Sequence, residues 1–232
     1  MGLKPFKAPG ADDLHAGFFQ YYWADVQPSV CKEVLQNFEA RKVLEYLNET
    51  LITLIPKCSS PESFNSYRPI SLCNTIYKVV TKIIVGRFRP FLDKLISLIQ
   101  TAFVPRRRGL DKVVITQELI HSLDNKKGKK GFMAIKVDLA KTYDCLEWNF
   151  IHKVLKAFHL PSALIKLILS CISSSNISIL FNGGKLDTFK PSRGICQGDP
   201  LSPYIFLLCM EYLGFLIDKE CMEKNWTPMK AS

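Results

Sequence analysis

Three groups of residues have types and spacing suited to chemistry. Asp138 closes an apolar run, Phe132 to Val137 (FMAIKV), so a strand there would present its carboxylate at a sheet edge. A hard cation such as Mg2+ takes carboxylate oxygens and leaves positions open for phosphates. Two such ions about 3.5–4 Å apart clamp the attacking and leaving oxygens of a phosphoryl transfer. One Asp cannot hold two ions, and a lone Asp at a strand end is more often a turn or cap residue. The second group is Gly194 to Pro203 (GICQGDPLSP). Gly198 permits unusual backbone angles, Asp199 is a natural N-cap and Pro200 suits a helix start. Backbone N–H groups at such a start can face phosphates or bases, or simply open a helix after a hairpin. Third, Lys57 follows Pro56, Arg68 precedes Pro69, and Arg106-Arg107-Arg108 follows Pro105. A guanidinium grips phosphate bidentately, although most such charges are solvated surface.

Apolar periodicity outlines the elements that must position these groups. Helix spacing runs over 12–26 and 29–47. TLITLI (50–55), β-branched and stopped by Pro56, reads as a short strand. Residues 76–99 read as a helix interrupted near Pro90, and 111–123 as a further helix capped by Asp111. KKGKK (126–130) reads as a solvated turn, with a phosphate contact as the sharper alternative. Phe132 to Val137 reads as a strand. Asp144 and Glu147 have capping-box spacing before a helix over 148–158, and 163–172 is another. Ile177–Phe181 and Lys185–Phe189 flank Asn182-Gly183-Gly184, a hairpin signal. Leu201 to Ile217 reads as a buried helix: it is short for a membrane span and contains Glu211. The order is that of an α+β fold with a small sheet.

Composition bounds the partners. The 232 residues are 47% hydrophobic, enough for a sizeable core. A net charge of +10 favours polyanionic partners, because each neutralised phosphate releases counterions, and equally fits a soluble basic protein. No two of the eight cysteines lie within ten positions, which argues against a paired-cysteine zinc site. The N-terminus carries no apolar signal run, and Phe6 stands where a myristoylation signal needs Ser or Thr. Reduced thiols in an intracellular protein follow as the expectation.

Six runs occur in one recognisable order: KAPG (7–10), LIPK (54–57), YRPISLCNTIYKVVTKII (67–84), TAFVPRRR (101–108), KVDLAKTYDCLEW (136–148) and PSRGICQGDPLSPYIF (191–206). With them the chain resembles the reverse transcriptase of non-long-terminal-repeat retrotransposons, most like those of plant genomes. Group II intron maturases share the palm, but the YRPISLCN and GICQGDPLSP runs look more like the retrotransposon branch. The resemblance implies right-hand polymerase fingers and a partial palm, mostly helical with a small antiparallel sheet. Residues 1–130 would be the N-terminal extension and fingers, and 131–232 the partial palm. Asp138 matches the first catalytic, metal-binding aspartate, and the Leu139 carbonyl would help hold the nucleotide-bound Mg2+. Tyr143 matches the aromatic that excludes a 2′-hydroxyl, and a core role is compatible with it. Lys57 and Arg68 match fingers residues on the incoming triphosphate. Gln197 and Gly198 match the motif that positions nucleotide and template. Asp144 is better explained as a helix cap.

Thr142 stands where the family usually has Ala or Ser, and Cys145 and Cys196 where it usually has Arg. Ala11-Asp12-Asp13 replaces a Pro-Asp-Gly run. The family's next motif, an aromatic-Ala-Asp-Asp hairpin, is not among residues 218–232, and Asp12-Asp13 is not a substitute for it. The thumb is missing as well. The implied partners are an RNA template, a DNA primer and deoxynucleotide triphosphates, with no membrane and with a nuclear life cycle. The expectation is a polymerase fragment inactive alone. The alternatives are a non-catalytic RNA-binding fragment and a non-functional relic.

Overall fold

A computed structural model describes residues 2–98, 100–125 and 131–228. About half of the protein is helical, around a small sheet, and the chain divides into two compact units. One comprises 1–87 and 141–203; the other comprises 88–140 and 204–232. The expected turn at 126–130 lies outside the described residues.

The first unit begins with α1 (Ala16–Tyr21) and α2 (Trp23–Ala40). The helices expected over 12–26 and 29–47 divide earlier, at Tyr22: α2 runs through Pro28 and ends before residue 47, at Arg41, which turns left-handed (φ 53°). Tertiary partners set that end. The buried Asn37 amide donates to the Glu33 carbonyl (2.7 Å) and accepts the Leu44 N–H (3.0 Å), while the Val43 N–H donates to Ser170 Oγ (2.8 Å).

Strand β1 (Glu49–Pro56) matches the β-branched run and becomes one of the sheet's two inner strands. It pairs antiparallel with β2 (Tyr67–Cys73) and parallel with β3 (Asn176–Phe181). The two-residue strand β4 (Gly184–Lys185) completes the order β2-β1-β3-β4. The sheet is therefore mixed, which corrects the expectation of an antiparallel one: β1 and β3 are joined through helices, and only such long crossovers allow parallel pairing. The β3–β4 turn is as predicted, with Asn182 (φ 48°) and Gly183 (φ 78°) both left-handed. The returning strand is shorter than expected. Lys185 pairs with Leu180, but Phe189 bridges Ile177, so one extra residue makes a bulge between them.

Helix α3 (Thr75–Phe88) presents Tyr77, Val80 and Ile84 to the core of this unit. After it come α4 (Leu92–Leu95) and α5 (Gly109–Asn125), both in the second unit. The predicted interruption near Pro90 is real. Helix α5 starts two residues before Asp111, so Asp111 lies in its first turn and not at the cap.

The expected strand at 132–137 does not form. Residues 131–139 have no regular secondary structure, and Met133 (82%), Ile135 (75%) and Val137 (69%) stand in solvent. A strand forms only where a ladder partner satisfies its N–H and C=O groups, and none of the described ladders includes these residues.

Back in the first unit, α6 (Thr142–Cys145) is a single turn, and α7 (Trp148–Ala157) packs on α8 (Ser162–Ser173) through Ile151, Val154, Leu155, Ile165 and Ile168. The predicted capping box at Asp144 is corrected: Glu147 is the N-cap of α7 and makes no side-chain cap bond. Asp144 lies inside α6, and the Glu147 carboxylate pairs with Arg193 (3.3 Å). Helix α9 (Ser202–Met222) crosses from one unit to the other. It is buried at Ile205, Leu207, Leu208 and Cys209 but exposed at Leu213, Phe215, Leu216 and Ile217, so only its first half meets the expectation of a buried helix. In the second unit the Glu211 carboxylate accepts the Ser97 N–H (2.8 Å) and hydroxyl (3.2 Å).

Candidate functional site

Lys57 and Arg68 sit at the open end of the β1–β2 pair. The register sets Ile55 opposite Arg68 and Pro56 opposite Tyr67. The ladder continues one residue further, where the Lys57 N–H donates to the Ser66 carbonyl (2.8 Å). Strand alternation therefore puts Lys57, Ile55 and Arg68 on one face. Both cations are exposed, and Lys57 Nζ donates to the Asn65 carbonyl (2.7 Å).

Gln197 and Gly198 run along the other edge of the same strand. The Ser71 N–H of β2 donates to the Gln197 carbonyl (2.8 Å). Gly198 has φ +134°, and a Cβ there would stand 2.5 Å from the Ser71 carbonyl oxygen. Only glycine lets the two backbones meet this closely. Four residues earlier Gly194 (φ +89°) packs on α6, where a Cβ would meet the Asp144 carbonyl at 3.0 Å. The Gly194 N–H donates to the Leu146 carbonyl and the Ile195 N–H to the Tyr143 carbonyl, each at 2.8 Å. Trp148 Nε1 donates to the Gly194 carbonyl (2.8 Å). The turn that carries Tyr143 is thus clamped to the loop that carries Gln197. The Tyr143 phenol is held above its ordinary pKa by burial. A cleft of about 140 Å³ opens here, lined among others by Ser71, Asp144, Arg193, Cys196 and Gln197.

Asp199 is not the N-cap expected of it. It stands ahead of α9, buried, and anchors the loop. Its carboxylate accepts the Leu201 N–H (3.3 Å) and the Ser202 (3.5 Å) and Tyr77 (3.4 Å) hydroxyls. Burial outweighs these bonds and pushes its pKa up to about 6.

Asp138 and Leu139 belong to the second unit and lie in the exposed stretch without regular secondary structure. Among the described residues no three His, Cys, Asp or Glu side chains gather where they could hold a metal ion. A two-ion centre needs several carboxylate oxygens, so the residues present do not fit one. Of the basic run at 106–108, Arg107 is structural. Its guanidinium donates to the carbonyls of Ser97, Gln100 (2.6 Å) and Ile96 (3.0 Å) and lies 3.8 Å from Asp93. Arg106 and Arg108 are exposed.

One feature escapes sequence reasoning. A cleft of about 500 Å³ in the first unit is lined by Lys4, Lys7, Lys78 and Lys82, with Ser71 and Gly198 at its wall. Lys78 and Lys82 lie four apart on α3, the spacing that puts two side chains on one helix face. That spacing was the available signal, and it needed the N-terminal segment folded across α3 to have meaning. Lys82 donates to the Gly2 carbonyl and Lys78 to that of Ala8 (3.4 Å). Burial lowers the Lys78 pKa.

Among the described residues no helix is long and apolar enough to cross a membrane. The family described as reverse transcriptase (RNA-dependent DNA polymerase) matches residues 55–227. The Transposon TX1 uncharacterized 149 kDa protein of Xenopus laevis is 25% identical over 205 residues, 88% of this chain and 16% of its own length. The Pol polyprotein from type-2 retrotransposable element R2DM of Drosophila melanogaster is 26% identical over 159 residues, 68% of this chain and 15% of its own. The uncharacterized mitochondrial protein AtMg01250 of Arabidopsis thaliana shares 54% identity over 37 residues, 16% of this chain and 30% of its own. The chain thus spans about a sixth of the two transposon relatives' lengths. With the family matched over most of its length and these relatives beside it, the chain belongs to the reverse transcriptase (RNA-dependent DNA polymerase) family, a divalent-metal-dependent one, in its non-long-terminal-repeat retrotransposon branch.

Proposed function

We propose that the chain is the nucleotide- and template-positioning part of an RNA-directed DNA polymerase, with 1–130 as N-terminal extension and fingers and 131–232 as part of the palm. Strand β2 carries this reading: it holds Arg68 at one end, on the face it shares with Lys57, and the Gln197–Gly198 loop along its edge. Lys57 and Arg68 neutralise the triphosphate of an incoming deoxynucleotide. Tyr143, clamped to the loop, excludes a 2′-hydroxyl. The Gln197–Gly198 backbone orients the nucleotide against an RNA template paired to a DNA primer. Asp138 and the Leu139 carbonyl would offer one carboxylate and one carbonyl to a Mg2+ ion, short of a two-ion set. Since positioning and electrostatic stabilisation are nearly all of phosphoryl-transfer catalysis, chain 1–232 alone binds and does not extend. The Arabidopsis match supports a plant lineage, and the retrotransposon life cycle points to the nucleus. Primer extension on an RNA template with Mg2+ and an Asp138→Ala control tests this. The expected result is no incorporation by either protein; incorporation lost in the control overturns the inactivity.

The lysine-lined cleft favours a second reading, RNA binding without catalysis. Phosphate neutralisation makes the logarithm of the affinity fall linearly with the logarithm of salt concentration. Lys78→Ala should weaken RNA binding across sequences and reduce that slope by about 1. Binding that is absent at low salt, or indifferent to salt, rules this reading out.

A further inference from the structure

We propose that the cleft of about 140 Å³ beside the Gln197 loop binds a nucleobase, with the Ser175 hydroxyl bonding to the edge of the ring. Ser175 lies in the link from α8 to β3, and the buried hydroxyls on either side of it are satisfied within the chain. Ser174 Oγ accepts from the Asn48 amide (3.0 Å), and Ser178 Oγ shares a hydrogen bond with Thr188 Oγ1 (2.8 Å). Ser175 is different. It is 1% exposed and lines the cleft, and its Oγ has no hydrogen-bond partner among the described residues. Buried polar groups are nearly always paired, so an unpaired hydroxyl on the wall of a cleft marks where a ligand's polar atom belongs.

The rest of the lining defines that ligand. The cleft holds roughly ten water-sized positions, the size of a ring system and not of a whole nucleotide. Ile52, Ile172, Ile177, Phe189 and Pro191 give it apolar surface for the faces of a ring. Arg193, the one cation among the described lining residues, is paired with Glu147 (3.3 Å), and Asp144 adds a carboxylate. That charge balance selects against phosphate and for a neutral ring. Ser175 and Gln197 can each donate and accept, and Asp144 accepts. Nucleobases carry N–H donors beside carbonyl and ring-nitrogen acceptors on one edge, and they stack their faces on apolar and aromatic side chains. None of Lys57, Arg68 and Tyr143 lines the cleft, so it is separate from the place proposed for the incoming triphosphate. The choice of a nucleobase rests on the polymerase reading; a free nucleoside and an unpaired residue of RNA both present one.

The test titrates adenosine, guanosine, cytidine and uridine into the full chain and follows amide shifts by NMR. Nucleosides carry no phosphate, so their binding does not depend on Lys57, Arg68 or the lysine-lined cleft. Saturable shifts at Ser175 and Gln197 are expected. Ser175→Ala should weaken the tightest nucleoside by roughly fivefold or more. It should not lower the thermal midpoint, because the hydroxyl it removes has no partner to lose. A hairpin RNA with that nucleotide bulged, compared at high salt with its abasic counterpart, separates the sources. Weaker binding of the abasic hairpin assigns the cleft to RNA, and equal binding assigns it to free nucleosides. No saturable shift with any nucleoside at millimolar concentration overturns the proposal, as does an affinity that Ser175→Ala leaves unchanged; the Ser175 hydroxyl then holds an internal water only. Nucleoside binding without any binding of RNA or deoxynucleotide triphosphate would undo the polymerase reading and leave the nucleobase cleft standing.

Discussion

The Gln197–Gly198 loop and the 131–139 stretch both carry motifs of the family, and the chain holds them in opposite ways. The loop is pinned at Ser71, at the Tyr143 turn and by Trp148, and two of its glycines adopt angles that other residues rarely take. The stretch before Asp138 has the more strand-like sequence but no ladder, and its apolar side chains face solvent. A loop with no regular structure is thus the better-determined of the two. The number of satisfied partners decides rigidity, and propensity does not.

Gly198→Ala challenges this contrast most strongly. A Cβ 2.5 Å from the Ser71 carbonyl at φ +134° cannot be accommodated without moving backbone, so a loss of about 3 kcal/mol or more is expected in urea unfolding. Gly131→Ala, with nothing within 4 Å of its Cβ, should change stability by no more than about 0.5 kcal/mol. Equal losses would erase the distinction.

Asp199 sharpens it through pH. Its pKa is about 6 when folded, against 3.8 for an ordinary aspartate. The folded state therefore binds the extra proton, and the stability it brings is full below pH 4 and lost as pH rises through 6. The shift corresponds to about 3 kcal/mol. Asp199→Asn should flatten the urea midpoint across that window, and an unchanged pH profile would assign the titration elsewhere.

Trp148→Phe removes only the bond to the Gly194 carbonyl and should cost about 1 kcal/mol. The same variant should loosen the Tyr143 turn, seen as faster amide exchange at Ile195. Smallest of all is Ile135→Asn. At 75% exposure the side chain has little burial to lose, so the midpoint should stay within about 0.5 kcal/mol. Amides 132–138 should exchange far faster than those of β2. Protection at 132–138 would show a ladder that the fold does not contain.

Strand β1, the Asn182-Gly183 turn and helices α7 to α9 were legible because their patterns are local: β-branched runs, two residues suited to positive φ, and apolar spacing near 3.6. Strand β2 was missed because Pro69 falls inside it. Proline cannot donate to a ladder and is tolerated on an edge strand, and that β2 is an edge follows only from the assembled sheet. The site residues Lys57, Arg68, Tyr143, Gln197 and Gly198 were named from motif order, but their proximity on one strand and one clamp was not readable. Nor was the lysine cleft, whose walls come from residues 2–16, from 70–82 and from Gly198 and Pro200.

By itself the sequence determined the family, through six runs in one order, and the elements whose periodicity is complete within a dozen residues. The tertiary structure alone decided the rest. It made the sheet mixed, ended α2 at Asn37's hydrogen bonds, left 131–139 without a ladder and laid the Gln197–Gly198 loop along β2. Each of these depends on partners far apart in the chain, whose backbone groups and buried side chains are satisfied only once the whole unit has closed around them.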